Sequence, residues 1–126
     1  SFPLHTTIRA SGPRRAPKVP APAPSTDLAR GFRLYNETCV YCHGGPGKDP
    51  TDIGKGLNPE PPFLPDTIRR WNAAEIFWIV KNGVRMTGMP SFADSHGDDD
   101  LRAVVAFVQT LPGMTEEQYA AYEKAQ

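Results

Sequence analysis

Large apolar side chains are scarce in this sequence. Leu, Ile, Val and Phe supply 25 of 126 residues, near the lower limit for chains that fold on their own apolar burial. Either part of the chain is unpacked, or something other than side chains fills the core. Apolar runs are short, well below the ~20 residues of a membrane span, and no cleavable signal-type hydrophobic segment is present. Strand-like alternation is missing, as are internal repeats. The length allows one domain with a modest core. No acidic residue occurs in the first 24 positions, which carry Arg9, Arg14, Arg15 and Lys18, a charge of +4. Residues 25–126 hold ten Lys/Arg against fourteen Asp/Glu, a charge of −4. That acidic part has no basic residues interleaved with aromatics, which argues against nucleic acid as a partner.

What is present is unevenly distributed. Six of the fourteen prolines fall in residues 1–24. Proline cannot donate to a regular ladder and keeps the backbone extended and semi-rigid. Residues 1–25 therefore read as a basic, proline-rich tail, or as a linker to a membrane anchor or another domain. Beginning at Ser1-Phe2, the chain reads as a processed or truncated product from which a signal or anchor was removed.

From residue 26 the pattern becomes helical. "DLARGFRLYNET" (27–38) places Leu28, Phe32 and Tyr35 on one helical face, with Ser25, Thr26 or Asp27 available as a cap. Residues 44–65 are rich in glycine and proline and read as a long loop, with a helical turn possible at 65–70. Asn72 with Glu75 predicts a capped second helix carrying Ile76, Phe77, Ile79 and Val80, ended by Gly83. Asp98 opens the most regular helix, where Leu101, Val104, Val105, Val108 and Leu111 recur at helical spacing before Pro112-Gly113. Thr115 with Gln118 predicts a short final helix with Tyr119 and Tyr122. The expectation is an all-α fold of three to five helices with long loops, comprising a domain over 26–113 and a helical extension over 114–126.

Both cysteines lie in "CVYCHGG", at 39 and 42, with His43 directly after. On a helical turn these three side chains project from one side. Two thiols at this spacing can bond the two vinyl groups of one haem, and the adjacent imidazole can then bind its iron; C-x-x-C-H is the attachment signature of c-type haem. Three other readings compete. A tetrahedral zinc site needs a fourth ligand, His5 or His96, and neither lies at finger spacing. A thioredoxin-like redox pair needs a βαβ context, and a disulfide closing so short a loop would be a poor entropic staple. A haem of this kind calls for a second axial ligand, and "NGVRMTGMPSF" (82–92) offers Met89 and, as the alternative, Met86. A thioether is a soft, neutral ligand that raises the reduction potential. Met89 sits between Gly88 and Pro90 in a loop with no helical face to pack against, so ordinary core packing explains it poorly. His5 and His96 are expected to be solvated loop residues. For Asp98-Asp99-Asp100, capping and the helix dipole suffice without a calcium site.

Taken together, these residues make residues 27–113 resemble the class I cytochrome c family, in particular its bacterial monohaem domains. Cys39, Cys42 and His43 match the attachment motif and Met89 in "TGMPSF" the distal ligand. Gly31 and Tyr35 match the small and aromatic positions of the family's N-terminal helix. The resemblance implies a close crossing of that helix with the C-terminal one, with Val104 and Phe107 as the contacting pair. Elsewhere in a helix interior, glycine only costs about 1 kcal/mol. It further implies that the Pro62 carbonyl accepts a proton from His43 Nδ1, fixing the ring and raising its basicity. Leu64, Ile79, Val80 and Phe92 would line the haem. The loop "GGPGKDPTDIGKGLNPEPP" departs from the mitochondrial pattern, so its contacts do not carry over.

The cofactor implied is one haem c bonded through Cys39 and Cys42, with His43 and Met89 on the iron. With both axial positions filled, the expected role is a one-electron carrier rather than an enzyme. Its partners would be redox proteins: a terminal oxidase, a reductase or a donor of the cytochrome bc1 type. The alternatives are the electron-entry domain of a larger reductase or oxidase and, should Met89 not bind, a peroxidase-type enzyme. The bacterial periplasm is the expected compartment, the protein being either soluble or anchored, or a domain of a larger exported protein.

Overall fold

The computed structural model describes residues 26–126; the tail or linker reading of 1–25 and the reading of His5 lie outside the described residues. Helix α1 (Leu28–Leu34) starts at Asp27, whose carboxylate accepts the Arg30 N–H at 3.1 Å. It does not stop before the cysteines. A π-helical turn (Tyr35–Cys39) carries it into α2 (Val40–His43), giving one continuous helical segment. The one-turn helix α3 (Asp52–Lys55) follows, then α4 (Leu64–Thr67) running into a 3-10 turn (Ile68–Arg70). The remaining helices are α5 (Ala73–Asn82), α6 (Asp98–Val108) and α7 (Glu116–Lys124). Among the described residues, the sole extended pairing is an isolated bridge between Gly45 and Lys48. The fold is all-α, with six helical segments among the described residues where the sequence predicts three to five. The additional one is α3: Thr51 accepts the Gly54 N–H, and its hydroxyl donates to the Tyr41 carbonyl at 2.8 Å. That contact is long-range, so no local periodicity announces it.

Both helix starts with a reciprocal box are as the sequence predicts. At α5 the side chains of Asn72 and Glu75 each accept the other's backbone N–H at 2.9 Å; at α7, Gln118 and Thr115 accept each other's at 2.9 and 3.1 Å. Helix α6 differs, because Gly97 is its N-cap and no side chain caps it. The three aspartates occupy its first turn, where the dipole favours them, and form ion pairs: Asp98 with Lys81 at 3.2 Å, Asp100 with Arg30 at 2.9 Å, and Asp99 with Arg102.

The core centres on the crossing of α1 and α6. Phe32, Tyr35, Phe107, Leu111 and Tyr119 are fully buried. A Cβ on Gly31 would lie 2.2 Å from the Ala103 carbonyl oxygen and 2.8 Å from Phe107 Cβ. Glycine is therefore needed here for close approach. The near pair is Ala103 and Phe107, not Val104 and Phe107. One residue of helical rotation turns Val104 toward the cavity described below. Helix α7 closes this end of the molecule: Tyr122 stacks on Phe32 at 5.1 Å, and the Tyr119 hydroxyl donates to Asn36 at 2.9 Å.

Candidate functional site

Between the cysteine turn, α4, α5, α6 and the loop after α5 lies an apolar cavity of about 450 Å³, within the usual size range of ligand pockets. Cys39, Cys42, His43, Pro62, Leu64, Ile79, Phe92 and Met89 all line it, although they are separated by up to 53 positions in sequence. Helix α2 and the π turn carry the thiols and the imidazole. The segment 59–64 brings Pro62 and Leu64, α5 brings Ile79 and Val80, and the loop after α5 brings Met89 and Phe92.

His43 is fixed from behind. Its Nδ1 donates to the Pro62 carbonyl at 2.8 Å. Lodged in an apolar wall, the ring is held below its ordinary pKa of 6.5, an effect opposed in part by the Pro62 bond. The imidazole is thus neutral at neutral pH, with its proton on Nδ1 and its lone pair on Nε2. Burial likewise pushes the Cys39 thiol up to about 11, offset in part by the Thr38 hydroxyl 3.5 Å away. Both cysteines are free thiols. Such a set offers one neutral nitrogen donor, one thioether and two free thiols inside an apolar enclosure.

The two candidate methionines are placed differently. Met89 is partly buried against the core and faces the cavity. Met86 has a left-handed backbone (φ 62°) and is 96% exposed. Its position does not suit the alternative ligand role. His96 is half-buried rather than fully solvated: it bonds Ser95 at 2.8 Å, and its ring meets Phe92 edge-on. Among the described residues, no group of three or more His, Cys, Asp and Glu is placed to hold a metal by itself, so the zinc reading gains no support.

Sequence reasoning missed much of the wall. Ile68 and Trp71, both buried, Leu57, Val84 and Thr87 also face the cavity, as do Val104 and Val108 of α6. Only the last two carry a signal, their four-residue spacing on an apolar helix face. The others come from loops and short turns without periodicity.

Comparison with known proteins adds independent findings. Residues 26–108 match the family model described as cytochrome c oxidase, cbb3-type, subunit III. Photosystem II extrinsic protein V from Trieres chinensis is 32% identical over 107 residues, covering 73% of this chain and 64% of the relative. The protein of the same name from Phaeodactylum tricornutum (strain CCAP 1055/1) gives the same figures. This chain therefore spans less than two thirds of the length of these relatives. Among solved structures, cytochrome cL from Hyphomicrobium denitrificans superposes with a TM-score of 0.51 at 19% identity, covering 94% of this chain and 89% of the other, a likeness of fold. With its family model spanning the cysteine turn, the Met89 loop and all of α6, the chain belongs to the family described as cytochrome c oxidase, cbb3-type, subunit III, and carries a c-type cytochrome domain.

Proposed function

We propose that this domain is a one-electron carrier that holds a single haem c, with thioether bonds from Cys39 and Cys42 and with His43 and Met89 as axial ligands. The observation that carries this reading is that one apolar cavity gathers both thiols, a neutral oriented imidazole and a thioether. The cavity and its donors fit that group. The scarcity of large apolar residues fits as well, since a porphyrin would supply the missing apolar volume. Bound there, haem supplies a one-electron ferric/ferrous couple.

The protein's own residues do the rest. Pro62 fixes the imidazole plane through Nδ1 and makes Nε2 a better donor. Met89 contributes a soft, uncharged donor, which favours the reduced form and leaves no position for substrate. Ile68, Trp71, Ile76 and Val80 exclude water, which limits rearrangement between oxidation states. The large apolar side chains exposed among the described residues are Tyr41, Ile53 and Met86. Tyr41 lines the cavity, α3 with Ile53 is bonded to Tyr41 through Thr51, and Met86 belongs to the Met89 loop. This rim suits brief docking of a redox partner. No helix among the described residues is long and apolar enough to cross a membrane. Covalent haem attachment of this type suits the bacterial periplasm.

A second reading has a specific observation behind it. The family model is named for an oxidase subunit, which favours a role as the electron-entry haem domain of a larger oxidase. In both readings the iron is six-coordinate. A ferric spectrum of the haem-loaded protein tests this: low-spin iron with a sulphur-to-iron band, abolished in Met89→Ala, is expected. High-spin iron in the unaltered protein contradicts it and favours an enzyme.

A further inference from the structure

The loop that presents Met89 is closed on its stem by one direct backbone bond and by one threonine hydroxyl. It leaves α5 at Gly83, whose φ is 72° and where a Cβ would sit 2.7 Å from the Pro90 carbonyl carbon and 2.8 Å from the Met89 oxygen. The chain therefore returns directly onto its own stem, and the Val84 N–H donates to the Met89 carbonyl at 3.3 Å. At the far end Met86 takes the left-handed conformation that turns the backbone. Within this loop the Thr87 hydroxyl donates to the Val84 carbonyl at 2.7 Å and accepts the Met89 N–H at 3.2 Å. Both backbone polar groups of Met89 are thus tied to the stem residue Val84, one directly and one through Thr87. Thr87 itself faces the cavity.

We propose that Thr87 is the positioning residue for Met89, a latch that keeps the thioether at the iron. This rests on the His43/Met89 reading above. A hydroxyl that only stabilised a turn would affect unfolding alone. A latch also governs how often the sulphur leaves, because an incoming ligand binds only the fraction of molecules in which Met89 has moved away.

The test uses ferric, haem-loaded protein titrated with imidazole and followed by the visible spectrum. Thr87→Val keeps the shape and removes both bonds; it is expected to bind imidazole about tenfold more tightly than the unaltered protein. Thr87→Ser restores the hydroxyl and is expected to return within about twofold of the original. If the Val variant does not load haem, Thr87→Ala provides the same comparison. In the unaltered protein the Met89 amide is expected to resist hydrogen exchange and to lose that protection when imidazole is bound. Equal imidazole affinity in the Val or Ala variant and the parent, a Ser variant as loose as Val, or unchanged protection would each overturn the proposal. Met89→Ala separates the two levels: if it leaves imidazole affinity unchanged, the ligand reading itself fails. If it tightens imidazole binding while Thr87→Val does not, only the latch fails.

Discussion

Side chains buried in their neutral forms set the chemistry at the scale of single residues. His43 is kept neutral by its apolar wall and aimed by Pro62. On the other side of α1, Tyr35 donates to the Gly44 carbonyl at 2.6 Å and Tyr119 to Asn36 at 2.9 Å. Burial raises both phenols above the ordinary value near 10. The sign follows directly. Above pH 10 the unfolded chain has already released these protons, whereas the folded chain retains them. Their stabilising contribution is therefore complete below pH 10 and is lost as pH climbs beyond it. Denaturant midpoints measured from pH 8 to 11 should fall steeply at the alkaline end. Tyr119→Phe should flatten that fall while lowering stability at neutral pH by about 1 kcal/mol, because Asn36 loses its donor. An alkaline slope identical in both proteins would contradict the assignment.

At the scale of elements, the α1–α6 crossing is the joint on which the cysteine turn is mounted. Gly31→Ala gives opposite expectations from local and tertiary physics. Helix propensity alone predicts a gain of about 1 kcal/mol. A Cβ 2.2 Å from the Ala103 oxygen must instead push the helices apart, and overpacking of this kind costs about 1–3 kcal/mol. The second effect wins, so chemical unfolding should show net destabilisation; a stabilised variant would mean that the helices separate freely. This joint was legible in the sequence as a helical glycine eight positions before Cys39, and the Asn72 and Thr115 caps were legible as local patterns. Its register was not, because choosing Ala103 over Val104 requires knowing the rotation of α6 against α1. The π turn before Cys39 and the one-turn α3 were equally hidden. One adds a residue to a helix without breaking its apolar face, and the other depends on the Tyr41 carbonyl ten positions away.

At the scale of the whole molecule, the cavity occupies the place where more core would be expected. Its wall is drawn from residues 37–108, mainly from segments without periodicity. The sequence therefore disclosed the cysteine turn and the methionine loop as parts of one site but not Trp71, Ile68 or Leu57, which meet the others only after folding. From the sequence Met89, set between Gly88 and Pro90, was the preferred ligand and Met86 the alternative. A left-handed backbone at Met86 turns that side chain to solvent and leaves Met89 at the cavity. Both halves of the account, an underfilled core and a turn with two thiols, lead to the same covalent group. The most direct measurement is the intact mass of the purified, matured chain after denaturation and extraction with acidified organic solvent. A mass increased by one haem, lost when Cys39 and Cys42 are both replaced by Ala, is the predicted result. A colourless polypeptide at the mass of the bare chain would contradict it.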